Sequence, residues 1–314
     1  MSVTAFSGPV VVFGGGVQGV PGLAADYNAD RGPSIFDQGQ ALMDPRAPFA
    51  YLPGQRAGSP IFGFLGTTGI PTLTAVPSTA AVNNIAASQV PVAATPLTLV
   101  SSTGAGITVG QSITRSDNNA TVTGLLAIDG PSSGKPFGQG PTGTGGSVYI
   151  WDPTTLIARA VRVVSAGNDS TATFTVRGYD IYWYSMVETI TGANAGTATG
   201  KKAFKYIQSI TPAGTLSGSA VTVGTTDVLG LPLRSDYFGE FEANVNATWI
   251  TASTGYTVPD ATSPATATTG DVRGTYTLQS ASNNTLRVMF FSSPSVNNIS
   301  SATGLFGVAQ FTNF

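Results

Sequence analysis

The sequence predicts an all-β protein: a β-sandwich or jelly-roll-like domain preceded by a long, extended, Gly/Pro-rich arm. Three observations carry that expectation. From about residue 90 onward, short runs rich in Val, Ile and Thr recur between Gly- and Asn/Asp-containing turns, the pattern of a sandwich or barrel. No long segment keeps the apolar period of an amphipathic helix. Hydrophobic residues make up 41% of the 314 residues, enough for a sizeable core.

The first 75 residues differ in character from the rest. Pro and Gly recur every few positions, from Gly8-Pro9 through Gly14-Gly15-Gly16 and Pro53-Gly54 to Pro71, and no helix of ordinary length survives that spacing. Large apolar side chains nevertheless sit between the breaks, among them Phe6, Phe13, Phe36, Phe49, Tyr51, Phe62 and Phe64. Flexible linkers are poor in such groups. An arm that lays these seven anchors on a partner accounts for both facts; a loop-rich packed subdomain is the alternative.

Residues 76–235 read as the sandwich domain. Pro91–Val100 and Gly106–Thr114 are the first strand-like runs, followed by Ser147–Trp151 and Leu156–Val164. Gly167-Asn168-Asp169 reads as a turn, after which Thr171–Arg177 alternates polar with apolar residues and Asp180–Ile190 resumes the pattern. Gly192–Gly200 reads as a polar loop before Phe204–Ile210 and Ala220–Val223. Residues 236–314 read as a further β region. Its strand around Phe241 and Val245 is followed by a linker, Pro259–Gly270, and a hairpin within 274–291 that pairs Gly274–Leu278 with Leu286–Phe291.

Charged residues are only 10% of the chain, against a usual share of about 25%. A surface of hydroxyls and amides costs little to desolvate, which suits a protein packed among neighbours. The net charge of −2 offers no basic footprint for nucleic acid. Lys201, Lys202 and Lys205 form one small cluster, read as a solvated turn. The apolar run Val10–Phe13 is too short for a signal peptide or a membrane span, so no membrane partner is expected. Five Asn-x-Ser/Thr sequons, at Asn119, Asn168, Asn246, Asn283 and Asn298, are of the kind chance supplies in a chain this rich in Asn, Ser and Thr.

Cysteine and histidine are both absent. Disulfides, thiolate chemistry, His-ligated metals and His-based triads are thereby excluded. Gly14-Gly15-Gly16-Val17-Gln18-Gly19 matches a dinucleotide fingerprint, but Pro21-Gly22 follows where a helix must begin. Ser132-Ser133-Gly134-Lys135 and Ser116-Asp117-Asn118 match two elements of serine β-lactamases, in reverse order and without the third. Asp26, Asn28, Asp30 and Asp37 begin like a calcium loop that lacks its central Gly and terminal Glu, and Asx turns explain them as well. Glu188, Glu240 and Glu242 are the carboxylates available to a glycosidase pair, and Tyr182-Trp183-Tyr184 to a sugar platform. Exposed strand charges and core aromatics are the plainer readings. No catalytic residue, cofactor or metal is expected, and the chain reads as a non-enzyme.

Several segments resemble structural proteins of tailed bacteriophages. They are Phe6-Ser7-Gly8-Pro9-Val10-Val11-Val12-Phe13-Gly14, Asp44-Pro45-Arg46 and Tyr51-x-Pro53-Gly54-Gln55 near the start. Further on come Gly167-Asn168-Asp169-Ser170 through Gly178-Tyr179-Asp180, Glu188–Gly192, Gly200–Phe204 and Ser263–Tyr276. The resemblance implies a head decoration (cement) protein on the capsid exterior, assembled in the cytoplasm of the host bacterium. Its implied partners are the major capsid protein and further copies of itself, with a homotrimer possible. A tail or head-fibre component that binds host surface glycans, or a spike that degrades polysaccharide, is the alternative.

Overall fold

The computed structural model describes residues 59–60, 76–132, 157–231, 234, 240–246, 248–250, 254–286, 288–293 and 307–311. Among these the protein is all-β. Among the described residues no helix is long and apolar enough to cross a membrane. The seven aromatic anchors of the expected arm lie outside the described residues, as do Asp26, Asp30 and the Gly14–Gly19 run.

The described residues form fifteen strands: β1 (Ser59–Pro60), β2 (Ala86–Gln89), β3 (Ile107–Thr114), β4 (Thr121–Ile128), β5 (Arg159–Ser165), β6 (Ala172–Tyr179), β7 (Ser185–Thr191), β8 (Thr197–Phe204), β9 (Tyr206–Gly214), β10 (Val221–Gly230), β11 (Glu240–Val245), β12 (Thr248–Ile250), β13 (Tyr256–Thr257), β14 (Thr275–Thr277) and β15 (Val288–Ser293). They make a five-stranded sheet in the order β3-β4-β9-β6-β7 and a second sheet, β13-β14-β10-β5-β8, in which β2 also pairs with β10. A third, four-stranded sheet runs β1-β15-β11-β12.

The first two sheets face each other as a sandwich. Alternation along the strands shows how: on β6, Ala172, Phe174 and Val176 are buried while Thr173, Thr175 and Arg177 are half-buried. Phe174, Val176, Met186, Ile207 and Ile210 from one sheet share a core with Val161, Val163, Phe204, Val221 and Val223 from the other. Each such side chain contributes about 1.5–3 kcal/mol when fully buried. The β6 and β9 backbones approach so closely at Gly178 that a Cβ there would lie 2.0 Å from the Tyr206 carbonyl oxygen.

The five-stranded sheet curls. The tip of the β3–β4 hairpin reaches the turn between β6 and β7, where Arg115 Nη2 donates to Ser185 Oγ at 3.3 Å and the Arg115 guanidinium stands 5.9 Å from the Tyr179 ring centre. Ile113, Leu125, Ala127, Tyr179 and Tyr206 fill the space inside the curl. Two register shifts interrupt the β3–β4 ladder, and bulges of this kind protect an edge strand such as β3 from pairing with another chain.

Several expectations need correction. Pro91–Val100 is not a strand. It crosses between the sheets, with Ala94 N and Leu97 N donating to Pro212 O and Ile210 O of β9, and Val100 N donating to Ile85 O beside β2. Pro91 and Pro96 supply no N–H for a ladder. Only residues 192–196 of the expected polar loop are loop, because β8 begins at Thr197. The hairpin expected within 274–291 does not form: β14 pairs with β10 and β13, whereas β15 pairs with β11 and β1 in another sheet. The intervening chain is claimed by long-range bonds instead of a tight turn. Ser282 N and Oγ both donate to Asp227, and Thr79 N donates to Asn284 Oδ1. Strands β13 and β14 therefore join the sandwich although they follow residue 235.

Arg159 is the centre of that long-range bonding. It is 1% exposed, and all five guanidinium donors have acceptors. Nε donates to Thr226 O (2.7 Å), Nη1 to Ser78 O (2.5 Å) and Asp129 Oδ2 (3.2 Å), and Nη2 to Asp227 Oδ1 (3.0 Å) and Ser282 Oγ (2.8 Å). Removing one partner of a buried ion pair leaves the other charge uncompensated, at a cost of about 3–5 kcal/mol. Arg159→Met is therefore expected to lower the unfolding free energy by about that much. Urea denaturation of the full chain checks this; a loss below about 1 kcal/mol would contradict the hub.

Candidate functional site

The sequence supplies few charges, and among the described residues the fold turns many of them inward. Arg159, Asp169, Asp180, Glu188, Lys202, Lys205, Arg234, Asp271 and Arg273 are all buried. Among the described residues with an assigned environment, Lys201 is the only exposed charged side chain. The lysine cluster is thus not a solvated turn, because Lys202 lies on β8 and Lys205 at the β8–β9 junction, and both are 0% exposed.

Backbone groups hold several of these buried charges. Lys205 Nζ donates to Ile128 O (2.7 Å) and Ile157 O (2.9 Å), and burial pushes its pKa down to about 7. Lys202 Nζ donates to Thr266 O (2.6 Å) and Val187 O (3.1 Å), pinning the 265–269 segment onto β7 and β8. Asp271 Oδ2 accepts from Ala203 N at 3.0 Å. Arg273 lies 5.2 Å from the Tyr182 ring centre and its Nη2 donates to Asp180 Oδ2 at 3.0 Å.

Glu188, a candidate acid, faces the interior at 3% exposure. Its Oε1 accepts from Lys201 N (2.7 Å) and Lys202 N (2.9 Å), joining β7 to β8. Its Oε2 is buried without a hydrogen-bond partner among the described residues. Only glycine fits opposite: a Cβ on Gly200 would lie 1.9 Å from that oxygen. Burial raises the carboxyl to about 7 against the pull of the two N–H donors. Glu240 and Glu242 lie on β11, in a different sheet from β7, which carries Glu188. No group of three or more His, Cys, Asp or Glu residues able to hold a metal occurs among the described residues.

The two serine motifs do converge, on the turn 180–184. Ser116 Oγ donates to Tyr182 O, Ser116 N donates to Trp183 O (3.0 Å), and Ser132 Oγ donates to Ile181 O (3.1 Å). Trp183 Nε1 in turn donates to Ser132 Oγ at 3.2 Å. Lys135 lies outside the described residues. Both serines buttress a turn whose centre, Trp183, has φ +67°. That left-handed conformation costs a bulky L-residue roughly 1–2 kcal/mol. Asp180 enforces it: Oδ1 accepts from Tyr182 N and Tyr184 N, both at 2.9 Å, while Asp180 O accepts from Trp183 N at 3.1 Å. Tyr182 is buried, whereas Trp183 and Tyr184 are half-buried.

Beside this turn, Arg115 and Asp117 form a two-bond ion pair at 2.8 and 2.9 Å. Burial works to raise the Asp117 carboxyl, but its bonds to Arg115 and Ser185 outweigh that and hold it below the ordinary range. Asn118 and Asn119 are exposed at the hairpin tip. Local sequence gives no sign that residues 115–119 meet residues 180–185. An arginine inside the apolar run Ile157–Val164 was the available signal for Arg159.

Compared with known proteins, the chain matches no family model, no curated protein and no solved structure.

Glu188 titrates near 7 when folded and near 4.5 when free, so between those values the folded state binds the extra proton. Stability should fall as pH rises through this window, by at most about 1.4 kcal/mol per pH unit. Glu188→Gln should flatten that slope. Lys205 has the opposite sign: its folded pKa is depressed, so stability should rise from about pH 7 toward 10.5, and Lys205→Met should abolish the rise. Melting temperatures measured from pH 4 to 10 check both; unchanged profiles in the variants would refute the assignments.

Proposed function

We propose that this chain is a structural, non-enzymatic virion protein of a tailed bacteriophage, which decorates and stabilises the capsid shell. The observation that carries the reading is the inward turn of the charges, with Lys201 alone exposed among the described residues whose exposure is assigned. A partner covering such a surface strips water from hydroxyls and amides and from few ions, so desolvation opposes association weakly. The resemblance of segments along most of the chain to phage structural proteins supports the same role.

In this reading the sandwich sits on the shell, and residues 1–75 reach neighbouring subunits with Phe6, Phe13, Phe36, Phe49, Tyr51, Phe62 and Phe64. Ordering the arm costs roughly 1–2 kcal/mol per residue, and each buried aromatic returns about 1.5–3 kcal/mol. Further support would come from arm segments that add themselves to a sheet edge. Ser59–Pro60 shows the mode within this chain, pairing with Ser292 and Phe291 of β15. Contacts repeated over a lattice raise the effective concentration of each arm and slow release. Copies of the chain meeting at a local threefold position would form a trimer.

The test is co-sedimentation with purified, tailless heads, comparing the full chain with one lacking residues 1–75. The full chain should be retained, and the truncated chain should lose about tenfold or more in affinity while keeping its β-type circular dichroism. Equal retention would move the contact to the sandwich, and no retention of either would remove the head-decoration reading.

A further inference from the structure

A cavity of about 250 Å³ lies between β8 and β14. We infer that it binds a single carboxylate group, held between the Lys201 ammonium and the Thr275 hydroxyl. The site rests on the cavity and its lining, independently of the decoration reading.

The first support is where the fold leaves its outward charge. Among the described residues whose exposure is assigned, Lys201 is the only exposed charged side chain, and it lines this cavity. Its Nζ makes one bond among the described residues, to Thr268 O at 3.3 Å. An ammonium carries three donors, so N–H groups remain for a ligand. The second support is an unused hydroxyl. Strand register sets Thr257 opposite Thr275 and Thr277 opposite Val228, which puts all four on one face. All four line the cavity. Thr275 is 4% exposed, and its hydroxyl has no hydrogen-bond partner among the described residues. Buried polar groups are ordinarily paired, so a hydroxyl left open in a cavity wall marks a place filled from outside the chain.

The charges select the ligand. One ammonium matches one negative charge, and the second oxygen of a carboxylate accepts from the Thr275 hydroxyl. A phosphate dianion would keep an uncompensated charge beside Asp271, which also lines the cavity. Asp271 tolerates a monoanion better, because its own oxygens are occupied: Oδ2 accepts from Ala203 N at 3.0 Å and Oδ1 from Arg273 N at 2.9 Å. Burial raises its carboxyl against the pull of the Arg273 guanidinium, which weakens its negative charge further. The neighbouring Asp260 accepts from Gly270 N and Thr262 N, both at 2.9 Å. Val228 and the exposed Val258 give the methylene chain of an acid an apolar wall.

A free small acid and the acidic side chain of a neighbouring protein carry the same group, and the probes separate them. Amide NMR shifts of Gly200, Gly270 and Gly274, which line the cavity, are followed in the full chain. The titrants are glutarate, its neutral diamide, inorganic phosphate, and a glutamate-centred tripeptide blocked at both ends. Glutarate or the peptide should give saturable shifts, with the diamide and phosphate about tenfold weaker or more. Tighter binding of the peptide assigns the group to a protein side chain, tighter binding of glutarate to a free acid. Lys201→Gln leaves the backbone bond to Glu188 in place and should weaken binding about tenfold. Thr275→Val keeps the shape and strand propensity of the side chain and should weaken it about fivefold. No saturable shift with either acid, diamide or phosphate binding as tightly, or affinity unchanged in either variant would each overturn the site.

Discussion

The guanidinium of Arg159 is where distant stretches of this chain are forced to meet. Its acceptors come from the strand-free run at Ser78, the end of β4 at Asp129, the middle of β10 at Thr226 and Asp227, and the β14–β15 connection at Ser282. Lysine could not substitute, since three donors on a point charge cannot satisfy five acceptors arranged around a planar fork. The β10 ladder shifts register between Thr225 and Leu229, beside the residues that face this fork. The chain from 279 to 286 is drawn across the sandwich rather than closing a hairpin.

The same solution recurs on a smaller scale. Lys202, Lys205, Asp271 and Glu188 each use backbone groups of a neighbouring segment as partners, so that charge serves as internal cross-bracing. A chain with 10% charged residues has few to spare, and those committed inside are unavailable outside. The surface chemistry that supports the decoration reading thus follows from how the sandwich is braced.

The sandwich strands were legible where burial alone decides structure. Thr171–Arg177 alternates with period two because one face meets the core, and β6 forms there. Residues whose structure is set by remote partners were not legible. Pro91–Val100 has strand composition, but its N–H groups are taken by β9 and by Ile85. The lysine cluster reads as solvated because nothing local announces the carbonyls of Ile128, Ile157 and Thr266. Trp183 lies in a run of aromatics with strand propensity, and only the Asp180 carboxylate, accepting from Tyr182 and Tyr184, makes it a turn. The serine motifs marked two points that the fold brings to one place, the turn 180–184.

The reach of Arg159 also bears on how the chain comes to be folded. Its acceptors extend from Ser78 to Ser282, so during synthesis the guanidinium waits without its last partner until most of the chain has left the ribosome. Closing so long a loop precedes the reward of the contacts it enables, which makes such topologies slow to form and exposes sheet edges in the interim. The sandwich is in this sense completed from its C-terminal side. A chain cut short before residue 282 would present a buried arginine with too few acceptors, and strands β5 and β10 would meet around a charge they cannot close.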